Sequence, residues 1–252
     1  MELVDTHAHL EDLGNLDEAL TRAEKSGVIA VVTMGSNRES NLWALKESAT
    51  HQKGKLKIYP AIGLHPWGLD PSEIEANTHL IEENVHKVVA IGEVGLDYWY
   101  KDVRKSPEKK EQQRELFRRL LEIAKKNGKP VSIHSRGAWA DCVEITIETG
   151  VEKAVFHWFS GPLDVLERLL DEGYHVSATP AAAYSKEHRS VIRNTPLENL
   201  LLETDSPVAY RGEPAEPAHI LRTLSAVAEL KGIRAETIVE ETTDSARSLF
   251  RI

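Results

Sequence analysis

Two histidines one residue apart, His7 and His9 in the stretch VDTHAHL, follow the apolar pair Leu3 and Val4. If that pair opens a buried strand, side chains at i and i+2 leave it on the same face, and the two imidazoles converge on one point. Convergent imidazoles joined by carboxylates bind divalent metals, and further candidates stand in similar settings. They are His65 in GLHP, Glu93 in GEVGLD, His134 in IHSR, His157 in FHWFSG and Asp205 in LETDSP, each beside a short apolar run. Taken singly, each has an ordinary reading: a strand-end histidine held by hydrogen bonds, or an aspartate opening a turn before Ser206-Pro207. Five of the eleven histidines in this one kind of position are hard to explain as packing.

The elements that must carry these residues alternate along the chain. Short apolar runs at 3–5, 28–33, 58–62, 88–91, 131–133, 154–156, 174–178 and 200–202 read as eight strands. Helical patterns read at 16–26, 41–51, 72–84, 107–127, 138–149, 162–172, 186–193, 215–230 and 235–250. Eight strands alternating with helices over 252 residues have the rhythm of an α/β (β/α)8 TIM-type barrel, read here as one hydrolase domain over residues 1–252. A doubly wound open sheet is disfavoured, because THAHLEDL follows the first strand where a glycine-rich phosphate loop would be needed.

In such a barrel the active site lies at the C-terminal strand ends, where the polar residues above fall. Closing the barrel pairs strand eight with strand one and brings Asp205 beside His7 and His9. Strands five and six are neighbours, so His134 approaches His157, with Glu93 next to them on strand four. A carboxylate has two oxygens and can bridge. One site would hold His7, His9, Asp205 and one Glu93 oxygen, the other His134, His157 and the second oxygen, both with positions open to water as catalytic metals require. Imidazole and carboxylate ligands without thiolate suit two divalent ions drawn from Zn, Mn, Co or Mg. Cys142 lies in a helical pattern and is expected in the core.

The formal net charge of −9 excludes a protein that coats nucleic acid with a broad basic surface. A single cysteine excludes an intrachain disulfide and points to a reducing compartment. No signal-like segment or membrane-length apolar run is found, so the expected location is the cytoplasm, with no membrane association. No protein partner is evident, and a monomer is expected.

The motifs DTHAHL, GLHP, GEVGLDY, VSIHSR, HWFSG, LETDSP and TTDSARSLF, in this order along nearly the whole chain, resemble those of the TatD family of metal-dependent deoxyribonucleases within the amidohydrolase-like barrels. The resemblance implies a distorted barrel, a two-metal centre and hydrolysis of phosphodiesters in DNA, often from the 3′ end. It places the family's metal ligands on His7, His9, Glu93, His134, His157 and Asp205, the residues already chosen. Relatives that hydrolyse amides, lactones or phosphotriesters commonly bridge their metals with a carbamylated lysine on strand four, where this chain has Glu93. Departures occur at Trp158, where the family usually has a small residue or Cys, at Ser245, where it has Asn, and after strand seven. None touches a proposed ligand.

The expected chemistry follows from charge. Two divalent ions outweigh Glu93 and Asp205, leaving a positive site that attracts a phosphodiester to an acidic protein. A water acidified by the metals attacks phosphorus in line, with Asp205 as proton acceptor. The resemblance implies that His65 hydrogen-bonds a phosphate oxygen or protonates the leaving group, and Arg136 is expected to pair with phosphate. Trp67 and Tyr98, with Trp99, Trp139 and Tyr184, follow strand ends where rings can stack on unpaired bases, though each could equally cap the barrel. The stretch 100–110 carries five Lys or Arg against two acids. Three classes are therefore carried forward: a DNA 3′–5′ exonuclease acting on single-stranded ends, a hydrolase of small-molecule or aminoacyl esters or amides using the same centre, and a non-catalytic binding protein.

Overall fold

The computed structural model describes residues 1–51, 54–68 and 70–252. Eight parallel strands neighbour one another in chain order: β1 (Leu3–Ala8), β2 (Val28–Met34), β3 (Lys57–Ile62), β4 (Ala90–Gly95), β5 (Val131–His134), β6 (Ala154–Phe156), β7 (His175–Ala178) and β8 (Leu200–Leu202). The crossovers carry α1 (Leu16–Lys25), α2 (Arg38–Thr50), α3 (Pro71–Asn84), α4 (Pro107–Lys126), α5 (Trp139–Thr149), α6 (Leu163–Asp171) and α7 (Lys186–Asn194). After β8 come α8 (Ile220–Lys231) and α9 (Ala235–Phe250). This is the (β/α)8 barrel expected.

Strand alternation divides the core into two layers. Val31, Leu200 and Leu202 belong to the large cluster under the helices, whereas their neighbours Ala30, Val32 and Leu201 belong to a smaller one with Val4, Met34, Ala61, Ala90 and Val155. Side chains two apart along a strand share a face, so the smaller set lines the barrel interior. Leu249 and Phe250 of α9 pack into the same set. Several interior positions nearer the C-terminal ends are small or polar, including Gly92, Ser132 and Ser177. They leave room for larger polar groups above.

The barrel is nearly closed, and its seam is irregular. Between β1 and β8 the only bridge among the described residues is Ala8 to Ser206, beyond the end of β8. Backbone bonds from Asp205 N to His7 O (2.9 Å) and from His9 N to Ser206 O (2.7 Å) continue the join. Side chains complete it: the buried Asp5 carboxylate accepts from Thr204 N at 2.9 Å and Thr204 Oγ1 at 2.6 Å, and Thr6 Oγ1 donates to Leu202 O at 3.0 Å. The seam thus fixes the backbone that carries His7, His9 and Asp205.

Differences from the sequence reading have local causes. Helix α2 starts three residues before the expected 41, because the Asn37 side chain caps Glu39 N and Ser40 N while Ser40 answers in a capping box. Asn41 is freed for another role, clamping Gly63 through both N–H and C=O at 3.0 and 2.7 Å. Helix α8 begins at Ile220 rather than 215, since Pro214 and Pro217 cannot continue a helix; a hairpin of β9 (Ala209–Tyr210) and β10 (Glu213–Pro214) and a 3-10 turn occupy the segment. Its two-residue turn sets both Arg211 and Gly212 at positive φ, 54° and 87°. Strands β1 and β4 run further than expected, so His7 and Glu93 lie inside strands rather than just beyond them. Among the described residues no helix is long and apolar enough to cross a membrane.

Candidate metal centre

The candidates come from six strands. His7 is on β1 and His9 just past it, Glu93 is on β4, His134 ends β5, His157 directly follows β6, and His65 and Asp205 follow β3 and β8. Gly95 is needed beside this cluster: its φ is +144°, and a Cβ there would fall 1.9 Å from His134 O. A side chain at that position would separate β4 from β5, and with it Glu93 from His134.

Glu93 is the hub, and its two oxygens face different histidines. Oε2 lies 3.3 Å from His9 Nε2 and 3.7 Å from His7 Nε2. Oε1 lies 2.7 Å from His134 Nδ1, 2.9 Å from His157 Nε2 and 3.4 Å from His65 Nε2. Asp205 Oδ1 stands 3.7 Å from both His7 Nε2 and His9 Nε2. All six candidate ligands are therefore gathered, with His7 stacked on His157 at 4.0 Å between ring centroids.

Groups behind the cluster fix which ring nitrogen looks inward. His9 Nδ1 donates to Met34 O at 3.1 Å, because a carbonyl can only accept, which turns Nε2 to the centre. His7 Nδ1 is 3.3 Å from Ser132 Oγ. His134 Nε2 donates to Asp97 Oδ2 at 3.2 Å, so its Nδ1 faces Glu93. His157 Nδ1 faces Glu203 Oε1 at 3.4 Å, and the same oxygen accepts Trp158 N at 3.1 Å. His65 is oriented differently: its Nδ1 accepts from Trp67 N at 3.4 Å, leaving the hydrogen on Nε2, the atom that points inward. It is set up as a donor, whereas His9 Nε2 and His134 Nδ1, whose other ring nitrogens hold their hydrogens, offer lone pairs to a metal once deprotonated.

The protein's own charges strain to balance here. Burial alone would push the Glu93 carboxyl up, yet His65, His157 and the bond from His134 hold it well below the usual carboxylate range. Burial disfavours charge on His9, but Glu93 and Asp205 overcome it and push its pKa up to about 9. His157 is likewise pushed well up by Glu93 and Glu203 against its burial. Burial, aided by the charge of His157, takes His7 down to about 4; burial likewise takes His65 to about 4 and raises Asp205 to about 7.

The donor set fits divalent cations. His7 Nε2, His157 Nδ1 and Glu203 Oε2 are buried without a hydrogen-bond partner among the described residues. Unpaired buried polar atoms are costly unless something else meets them. Donor atoms of His7, His9 and Glu93, of His65, Glu93 and His134, and of His7, His157 and Glu203 each lie within 4.8 Å of one another. Ring nitrogens gathered around one carboxylate from several sides hold a cation once they lose their protons, and borderline imidazole with hard carboxylate donors suits the metals expected from the sequence.

The residues proposed to meet substrate fare unevenly. Asp97, fully buried, accepts from Arg136 Nη2 and Trp67 Nε1, both at 2.8 Å, and so holds both residues beside His134. Burial would raise this carboxyl, but His134 and Arg136 draw it below the usual range. Arg136 remains half-exposed and lies over the Trp67 ring. Tyr98 is not brought to the cluster: its hydroxyl donates to Asp141 at 2.6 Å, between Lys110 and Arg114. Cys142 is buried, as expected.

Three comparisons bear on this geometry. The family model described as TatD related DNase matches residues 4–251. The "Uncharacterized metal-dependent hydrolase YabD" of Bacillus subtilis is 34% identical, with 99% of each chain covered. "Deoxyribonuclease TATDN3" of Homo sapiens is 31% identical, covering 98% of this chain and 94% of its own. Among solved structures, the TatD homolog YJJV of Escherichia coli superposes with a TM-score of 0.88 at 29% identity, over 99% of this chain and 98% of that one. A Xaa-Pro dipeptidase at 13% identity and TM-score 0.66, covering 99% of this chain and 75% of its own, shares the fold alone.

Proposed function

The chain belongs to the TatD related DNase family of metal-dependent hydrolases acting on phosphoester bonds, and from this premise we propose that it trims DNA from single-stranded 3′ ends with a two-metal centre. The observation that carries the two-metal reading is the division of Glu93, one oxygen toward His7 and His9 and the other toward His134 and His157. Asp205 completes the first group. When bound there, divalent cations supply Lewis-acid stabilisation of the phosphoryl charge and an acidified water.

The chain's own residues do the rest. Asp205, whose Oδ1 stands 3.7 Å from both His7 Nε2 and His9 Nε2, is placed to take the proton of the attacking water. His65 is uncharged near neutral pH and its Nε2–H hydrogen-bonds a phosphate oxygen or the charge developing on the departing oxygen. Arg136, anchored on Asp97, presents its remaining guanidinium hydrogens to the neighbouring phosphate. Trp67 walls the same side of the mouth. The buried, reduced Cys142 suits the cytoplasm.

The test is substrate choice by the reloaded enzyme. Chelated protein given Mn, Zn or Mg is expected to shorten 3′-labelled single-stranded DNA stepwise. Metal-loaded protein that leaves DNA intact while cleaving simple esters would overturn the nuclease reading in favour of a small-molecule hydrolase.

A further inference from the structure

Trp99 is the most exposed aromatic side chain among the described residues, at 58%. It follows β4, two residues after Asp97, and its indole rests on the backbone of Gly137, just past β5. A Cβ at Gly137 would fall 2.4 Å from Trp99 Cδ1, so only glycine lets the ring lie down on the chain there. The ring meets Trp139 at a right angle, with centroids 5.3 Å apart and planes at 85°. Trp139 is itself seated where a Cβ at Gly161 would fall 2.6 Å from its Cγ. The backbone is pinned as well, since Trp99 N donates to Asp97 Oδ1 at 3.0 Å, on the carboxylate that orients His134. Trp99 Nε1 makes no hydrogen bond among the described residues.

A rigidly seated indole with an open face, tied through one carboxylate to a metal-ligand candidate, is a platform. The other exposed rings at the mouth are already covered: Trp67 is stacked on Tyr100 and lies under Arg136, and Tyr184 lies under Arg211. The chain immediately beyond Trp99 carries Lys101, Arg104 and Lys105, all exposed and without an ion pair among the described residues. Cations beside a flat apolar face match a nucleic acid strand, which offers a base and phosphates at that spacing, better than an apolar protein surface.

We propose that Trp99 stacks on one unpaired base of the strand whose scissile phosphodiester lies at Glu93. This rests on the nuclease reading above. It assigns Trp99 to substrate binding rather than to the chemical step. The prediction is a penalty in KM with kcat retained.

The test is an abasic scan with Mn-loaded enzyme, removing one base at a time from a single-stranded oligodeoxynucleotide. In the wild type, loss of the stacked base is expected to raise KM about fivefold or more. Trp99→Ala should raise KM similarly on the intact strand and be insensitive to removal of that same base; Trp99→Phe should restore part of the sensitivity. Trp99→Leu, which keeps apolar bulk over Gly137 without a π face, should behave as Ala does, covering the case in which Ala unfolds. An abasic penalty of equal size in wild type and variants at every position overturns the assignment while leaving the nuclease reading intact. Wild-type enzyme that cleaves bis(p-nitrophenyl) phosphate but no oligonucleotide overturns both.

Discussion

Glu93 concentrates the consequences of the site into one residue. A carboxylate that serves both groups of histidines cannot be replaced by either group alone. Glu93→Ala is expected to lower metal stoichiometry, read by mass spectrometry, and to abolish turnover; two ions per chain with full activity would sink the bridge. His65 should separate from the ligands in the opposite way, because its inward atom is the one carrying a hydrogen. His65→Ala is expected to keep its metals and lose about 10²–10⁴ in kcat, and loss of metal there would move it into the ligand set. The candidate ligands that the structure gathers were legible in the sequence because each stands near the end of an apolar run, a one-dimensional signal. The groups that aim them were not. Asp97 and Glu203 sit inside the quoted motifs GEVGLDY and LETDSP, yet nothing in a sequence says that Asp97 meets His134, 37 residues away, or that Met34 turns a carbonyl to His9. Asp97→Asn should weaken metal binding about 10- to 100-fold while the fold persists, measured by competition with a chelating dye.

At the scale of elements, the rhythm of eight strands and their helices was readable from periodicity, whereas the seam and the segment after β8 were not. The β9–β10 turn uses Arg-Gly, not the Asn-Gly or Asp-Gly that announces a hairpin, and the seam relies on side chains separated by about two hundred positions. Because so little backbone pairing joins β8 to β1, Asp5 carries weight there. Asp5→Ala leaves the buried Thr204 N–H and hydroxyl without that acceptor and is expected to cost about 1–3 kcal/mol, seen as a lower denaturant midpoint at unchanged slope. A second tie is His188 of α7, whose Nδ1 donates to Phe159 O at 2.9 Å while Nε2 accepts from Thr179 N at 3.1 Å. It joins the loops after β6 and β7. Burial holds it neutral and lowers its pKa to about 4. Between the unfolded value near 6.5 and about 4 the unfolded chain binds a proton that the folded chain refuses, so stability falls as pH falls through that window. The loss amounts to about 3 kcal/mol across it, and His188→Gln should flatten the pH dependence by that amount.

The whole molecule poses an electrostatic problem: a chain of net charge −9 is read as handling a polyanion. Its long-range field repels nucleic acid, so on this reading attraction is local, from the cations that Glu93 would hold, from Arg136, and from Lys101, Arg104 and Lys105 beyond Trp99. Such a footprint contrasts with proteins that neutralise a long run of phosphates. Four basic side chains on the strand, at about 0.7 counterions released per phosphate, give a slope of log KM against log salt of about 3 in magnitude. With Mn-loaded enzyme and an oligonucleotide spanning the mouth, KM is expected to rise with that shallow slope as NaCl increases, and replacing Lys101, Arg104 and Lys105 together by Ala should reduce it to about 0.7, the share of Arg136. A slope of 5 or more, or one unchanged in the triple variant, would place the strand on another face of the barrel.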